Sequence, residues 1–128
     1  MFEELMDYET ASYFHQRCLE VSVEFKYIEG QAFAFKGLGI CEEKVLNYFE
    51  AMNNLETALD KAVEGMLENP AREFSGDLVR IYQTIAIQYQ KNNEFDLSLQ
   101  FFEKCLDVAK RANDKDNEAT CYQQIALI

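Results

Sequence analysis

"NEFDLSLQFFEKCLD", residues 93–107, places the small residues Ser98 and Cys105 seven apart, in a run dominated by Phe95, Leu97, Leu99, Phe101, Phe102 and Leu106. Two other stretches align with it without a gap: "MDYETASYFHQRCLE" (6–20) and "LNYFEAMNNLETALD" (46–60). In each the third residue is aromatic (Tyr8, Tyr48, Phe95) and a small residue follows three later (Ala11, Ala51, Ser98). A second small residue comes seven further on (Cys18, Ala58, Cys105), then Leu19, Leu59 or Leu106, and an acid closes each block. Between these blocks a second set aligns: "AFAFKGLGI" (32–40), "VRIYQTIAI" (79–87) and "ATCYQQIAL" (119–127). Its markers are Phe35, Tyr82 or Tyr122, then Leu38, Ile85 or Ile125, then Gly39, Ala86 or Ala126. Apolar positions spaced by three and four mark one face of a helix. Two helix types, A and B, therefore alternate, with a period of 40 and then 47 residues.

The extra seven residues fall near "ENPAREFSG" (68–76). Seven is close to two helical turns, so the excess can lengthen a helix without rotating its buried face. Asn69–Pro70 then reads as an N-cap with proline at the first helical position. The competing reading is an exposed loop through Ser75–Gly76 with Asp77 as the cap.

The bulk numbers agree with a helical domain. The 128 residues are 48% apolar, with one proline and five glycines, enough for a continuous core and poor in helix breakers. The net charge of −11, from 23 acids against 12 bases, repels nucleic acid and anionic lipid. No basic segment precedes an apolar run, and no apolar run is long enough to span a bilayer, so the chain reads as soluble and cytoplasmic. The four cysteines (18, 41, 105, 121) form no CxxC pair and suggest neither zinc nor a disulfide framework.

No catalytic, cofactor or metal site emerges. Cys18 and Cys105 fall where Ala58 stands, and Cys41 and Cys121 fall near small positions, as cysteines packed like small hydrophobes do. His15, the single histidine, matches Leu55 and Phe102 and reads as a hydrogen-bonded residue between helices. With one histidine, no serine or cysteine nucleophile gains a supported triad. Glu3–Glu4 and Glu42–Glu43 read as solvated surface. The glycines of "KGLG" (36–39) lie within a helical pattern and read as close-packing positions, not a phosphate loop. Tyr8, Tyr48, Phe95, Phe35, Tyr82 and Tyr122 read as core. Phe33, Tyr13 and Phe101 fall off the register and read as contacts with an adjacent element of the full-length protein.

The pattern aromatic–x–x–Leu–Gly/Ala–x–x–Tyr, followed by Tyr/Phe–x–x–Ala–x–x–x–aromatic–x–x–Ala–Leu, resembles the tetratricopeptide repeat (TPR) over nearly the whole chain. The period exceeds the usual value of about 34 residues, as in long-helix variants of that family. The resemblance implies an all-α, right-handed solenoid of antiparallel helix pairs, with the end of one repeat at 1–30, repeats at 31–69 and 70–113, and the first helix of another at 114–128. The glycine the family places at the A-to-B turn is Met6, Leu46 or Asn93 here, and the proline usual after helix B is absent. Phe2 takes the place of a late helix-A tyrosine and Ile128 falls inside a helix A, so the chain reads as an excerpt of a longer solenoid.

The family's ligands lie in the groove lined by A helices. Carried over, that groove is Phe33, Lys36, Ile40 and Lys44, then Arg80, Gln83, Thr84, Ile87 and Lys91, then Thr120, Gln123, Gln124 and Leu127. Ile40, Thr84 and Thr120 stand where the family's chaperone-tail clamps carry polar or basic residues, which disfavours that ligand. The implied function is a non-catalytic scaffold that holds a peptide or helix of a partner protein, without cofactor, nucleic acid or membrane insertion. Residues 38–64 look similar to long-repeat proteins of cilia and axonemes, which implies a dynein-arm or intraflagellar-transport scaffold. Two other readings stay open: a regulatory or ligand-sensing segment of a larger enzyme or transcription regulator, and self-association through open solenoid ends.

Overall fold

Five times the backbone reverses through a left-handed residue that is not glycine: Lys26 (φ 57°), Leu46 (68°), Met66 (57°), Asn93 (63°) and Asn113 (57°). At each, the amide of that residue bonds back to the carbonyl three before it, and the next amide bonds to the carbonyl five before it. Lys26 and Tyr27 reach Val23 and Ser22 in this way, and Asn113 and Asp114 reach Lys110 and Ala109. This pair of bonds satisfies carbonyls left open at a helix C-terminus. The following residue already serves as the N-cap of the next helix: Tyr27, Asn47, Leu67, Glu94 and Asp114 each accept from the amide four residues on. One three-residue connection therefore recurs five times.

The computed structural model describes residues 2–128, with the backbone alone for residues 2–6. The helices are α1 (Phe2–Glu24), α2 (Ile28–Lys44), α3 (Tyr48–Glu64), α4 (Glu68–Lys91), α5 (Phe95–Arg111) and α6 (Lys115–Leu127). No strand occurs among the described residues. The chain is an all-α protein of consecutively packed helices that reverse direction at each turn, an α-solenoid class of fold. Helices α2, α3 and α5 have 17 residues each, and α4 has 24. The seven-residue excess is thus helical, and the loop through Ser75–Gly76 does not form. The cap is Leu67, not Asn69, which puts Pro70 within the first turn of α4, where its missing N–H has no intrahelical partner to lose. Leu46 and Asn93 take the left-handed turn, whereas Met6 lies inside α1. The readings placed on the side chains of Phe2, Glu3 and Glu4 lie outside the described residues.

Two compact units divide between Phe74 and Ser75. In the first, α2 lies between α1 and α3 and buries small residues towards both: Gly30, Ala32, Ala34, Gly37, Gly39 and Cys41. Gly30 meets Ser22 and Gly37 meets the His15 ring of α1, while Gly39 meets Leu55 and the Ala51 carbonyl of α3. The close-packing role read for the "KGLG" glycines is realised. A cluster of Ala32, Ala58, Ala62 and Phe74, backed by Phe35, Leu59, Leu67 and Ala71, fills the rest of this core.

In the second unit, Ser98 Oγ of α5 donates to the Ala86 carbonyl of α4 at 2.8 Å, and Cys105 Sγ approaches the Val79 carbonyl at 3.9 Å. Ser98 is buried because its hydroxyl replaces a lost water partner with a backbone acceptor. Phe101, read as facing another element, is buried within this unit against α4. Its ring stacks on Tyr89 at 5.7 Å and tilts against Tyr82 at 6.3 Å. Tyr122 and Phe95, read as core, are 49% and 45% exposed. Tyr122 lies under Lys110 Nζ at 5.7 Å, so its marker position serves a cation–π contact instead of burial.

Leu46 is exposed and carries a Cβ in a left-handed conformation. Leu46→Gly should therefore raise stability by about 0.5–1 kcal/mol, the relief of strain exceeding the added unfolded-state entropy, measurable by urea denaturation. A Cβ at Gly39 would stand 2.8 Å from Leu55 Cγ and 3.2 Å from the Ala51 carbonyl oxygen, whereas one at Gly76 meets nothing within 4 Å. Gly39→Ala should cost about 1–2 kcal/mol after the gain in helix propensity, and Gly76→Ala should gain about 0.5–1 kcal/mol.

Candidate functional site

The aromatic–small–packing–small stripe of the B helices has different fates along the chain. In α3, Ala51, Leu55 and Ala58 are each 0% exposed, and in α5 Ser98, Phe102 and Cys105 are likewise. In α1 the same positions, Tyr8, Ala11 and His15, are only half-buried, and Cys18 is exposed. They line an open cavity of about 520 Å³ whose other wall is α2: Phe33, Ala34, Lys36, Gly37, Ile40 and Cys41. Three of the four groove residues expected on α2 (Phe33, Lys36 and Ile40) are thus brought together, and Lys44 does not line the cavity.

Each wall is set by its helix. Phe33 packs edge-to-face on Phe74 with centroids 5.4 Å apart, which aims its ring while leaving it 39% exposed. Lys36 Nζ lies 3.2 Å from Glu73 Oε1, so the cation at the rim is already paired. The His15 ring rests over Gly37, where only hydrogen leaves room for it. Burial first, and the Lys36 ammonium second, hold His15 below its ordinary value of 6.5, so its neutral form is favoured in the cavity. Cys18 is not a buried packing residue: its thiol lies 3.9 Å from both Ser22 Oγ and the Gly30 carbonyl.

The remaining expected residues lie in the second unit. Arg80 pairs with Asp77 at 3.1 Å, and Thr84 Oγ1 donates to the Arg80 carbonyl. The Gln83 amide nitrogen is buried and faces the Cys105 thiol. Ile87 and Lys91 are exposed on α4. On α6, Thr120 Oγ1 donates to the Asp116 carbonyl, Gln124 is half-buried, and Gln123 and Leu127 are exposed. The same unit holds a pair unmarked by sequence: Cys105 Sγ and Cys121 Sγ lie 2.7 Å apart, both fully buried. Burial, then the contact with Cys121, pushes the Cys105 thiol well above the usual range. Its spacing signal is the turn itself, because residues 105 and 121 are equidistant from Asn113.

Among the described residues no group of three or more His, Cys, Asp or Glu side chains could hold a metal ion, and no helix is long and apolar enough to cross a membrane. The arrangement provides an apolar hollow with polar groups at its edge, and the fold defines an all-α helical-repeat protein. No family model and no curated protein matches the chain. Among solved structures it is similar to the apo form of RapI, at 22% identity and a TM-score of 0.57, covering 91% of this chain and 39% of that one. RapI is a TPR-like helical-repeat protein, so the likeness supports the repeat fold; the chain spans about two fifths of RapI's length.

His15 provides a direct check on the cavity. Because its folded value lies below 6.5, the unfolded chain binds the proton more readily. Its contribution is therefore stability present above pH 6.5 and lost as pH falls through the folded value. In a His15→Gln variant that part of the acid-side loss should vanish from denaturation midpoints between pH 7.5 and 5. In an NMR titration, Lys36→Met should raise the His15 midpoint only partway, since burial is the larger cause.

Proposed function

We propose that the chain is a non-catalytic protein-interaction scaffold that holds a peptide or helix of a partner protein. The observation that carries this reading is the α1–α2 cavity, where the repeat's packing stripe stays open and meets Phe33, Lys36 and Ile40. An apolar hollow with a paired cation at its rim suits an apolar side chain presented beside a carboxylate, which can exchange with Glu73 for Lys36. The acidic surface disfavours nucleic acid as the partner. In this proposal the repeats (1–30, 31–69, 70–113, 114–128) are the units of interaction, and the groove residues of α4 and α6 form a candidate surface of the second unit, taken by itself. A cytoplasmic setting fits the composition. The axonemal or ciliary-transport setting rests on the resemblance of residues 38–64 alone.

A second reading has its own support. About 520 Å³ lies within the range of small-molecule pockets, roughly 300–1,000 Å³, which favours a ligand-sensing segment of a larger regulator or enzyme. The readings separate experimentally. Peptides selected from a displayed library against the wild-type chain should bind Lys36→Glu and Ile40→Asp at least tenfold more weakly, with far-UV helicity unchanged. Equal binding to the variants would sink the cavity as a peptide site. A small-molecule thermal-shift hit abolished by Ile40→Asp would favour sensing. A molecular mass independent of concentration would remove self-association.

A further inference from the structure

The second unit carries a cysteine pair that the scaffold reading does not use. Cys105 of α5 and Cys121 of α6 are each 0% exposed, and their sulfurs lie 2.7 Å apart. Non-bonded carbon atoms sit roughly 3.5–4.0 Å apart, and bonded sulfurs at about 2.0 Å. The pair therefore lies inside ordinary contact and close to bonding distance. Cys121 is also the one buried residue of α6, so the helix's most enclosed point of attachment to α5 is this thiol contact. A bridging zinc would fit poorly, because zinc–sulfur bonds of about 2.3 Å in tetrahedral geometry spread two sulfurs much further apart. The described residues also offer no third ligand.

We infer that Cys105 and Cys121 form a reversible intramolecular disulfide on exposure to a peroxide, converting α6 from a packed helix into one covalently stapled to α5. In the resting fold both thiols are shielded from solvent, and burial keeps Cys105 protonated, so neither reacts while α6 is docked. The remaining residues of α6 are half-buried or exposed, and lifting this helix brings Cys121 to solvent. The Cys121 thiolate attacks one peroxide oxygen, giving a sulfenic acid and releasing the other oxygen as water. As α6 returns, with Cys105 still uncovered, the Cys105 thiol gives up its proton and its sulfur attacks the sulfenic sulfur. The S–S bond forms, and the hydroxide leaves with the Cys105 proton as a second water. Two electrons pass from the two thiols to one peroxide, and a small dithiol reverses the change.

The test uses the full chain, fully reduced, treated with hydrogen peroxide under native conditions, alkylated and digested with trypsin without reduction. The expected product links the peptide 105–110 to the peptide 116–128, with Cys18 and Cys41 outside the cross-link. It should disappear on treatment with dithiothreitol. Amide exchange across residues 115–127 should slow at least tenfold in the oxidised form. Cys105→Ala and Cys121→Ala should each abolish the linked pair and the slowing; Ala58 fills the corresponding place in α3, so alanine suits the position. Recovery of both cysteines as free thiols, their oxidation to sulfinic acids without a link, or cross-links to Cys18, Cys41 or a second chain would each overturn the inference. The wild-type peptide map decides this even if a variant does not fold.

Discussion

A left-handed residue bearing a Cβ costs roughly 1–2 kcal/mol, and this chain accepts that cost with lysine, leucine and methionine as well as asparagine. What it obtains is a connection of fixed geometry. Two backbone bonds close the outgoing helix, and the next residue opens the incoming one. Between α1 and α2, and between α5 and α6, contacting residues stand in mirror register about the connection. Ser22 meets Gly30 and His15 meets Gly37, each pair equidistant from Lys26, while Cys105 meets Cys121 across Asn113. The turn decides the pairing, and the pairing decides where side chains must be small.

That logic explains the regular spacing. The left-handed residues lie twenty apart except across α4, where the interval is seven longer. Two added turns return the buried face to nearly the same side, so α4 presents Ala86 to Ser98 and Val79 to Cys105 as a shorter helix would. An insertion of five residues would have turned that face away from α5.

Most of the fold was legible because packing stripes recur in alignment, and aligned stripes imply aligned partners. Helix existence and the order of the two helix types followed from that periodicity, whereas the extra seven residues left helix and loop both open. The cap of α4 did not, since Asn69–Pro70 carries strong local signals while the turn two residues earlier is set by backbone bonds at Met66 and Leu67. The site was less legible for the same reason that the fold was easy. His15 and Cys18 align with fully buried residues, and alignment cannot report whether a neighbour covers a stripe. Tyr122 shows the converse, a marker residue left 49% exposed beside Lys110. The cysteine contact was implicit in the sequence, but only once Asn113 is known to be the centre of a turn.

The mirror register also governs how the chain acquires its shape. A contact between two helices that share a turn spans a short loop; the Cys105–Val79 approach joins residues 26 apart. Loop-closure entropy grows slowly with such lengths, and chains dominated by local contacts fold fastest. Each hairpin can assemble from its own turn outward, without waiting for distant segments to find one another. The same wiring lets a helix such as α6, packed on α5, detach while its neighbours stay formed. Partial opening is then a routine excursion of the native molecule, not a failure of the whole.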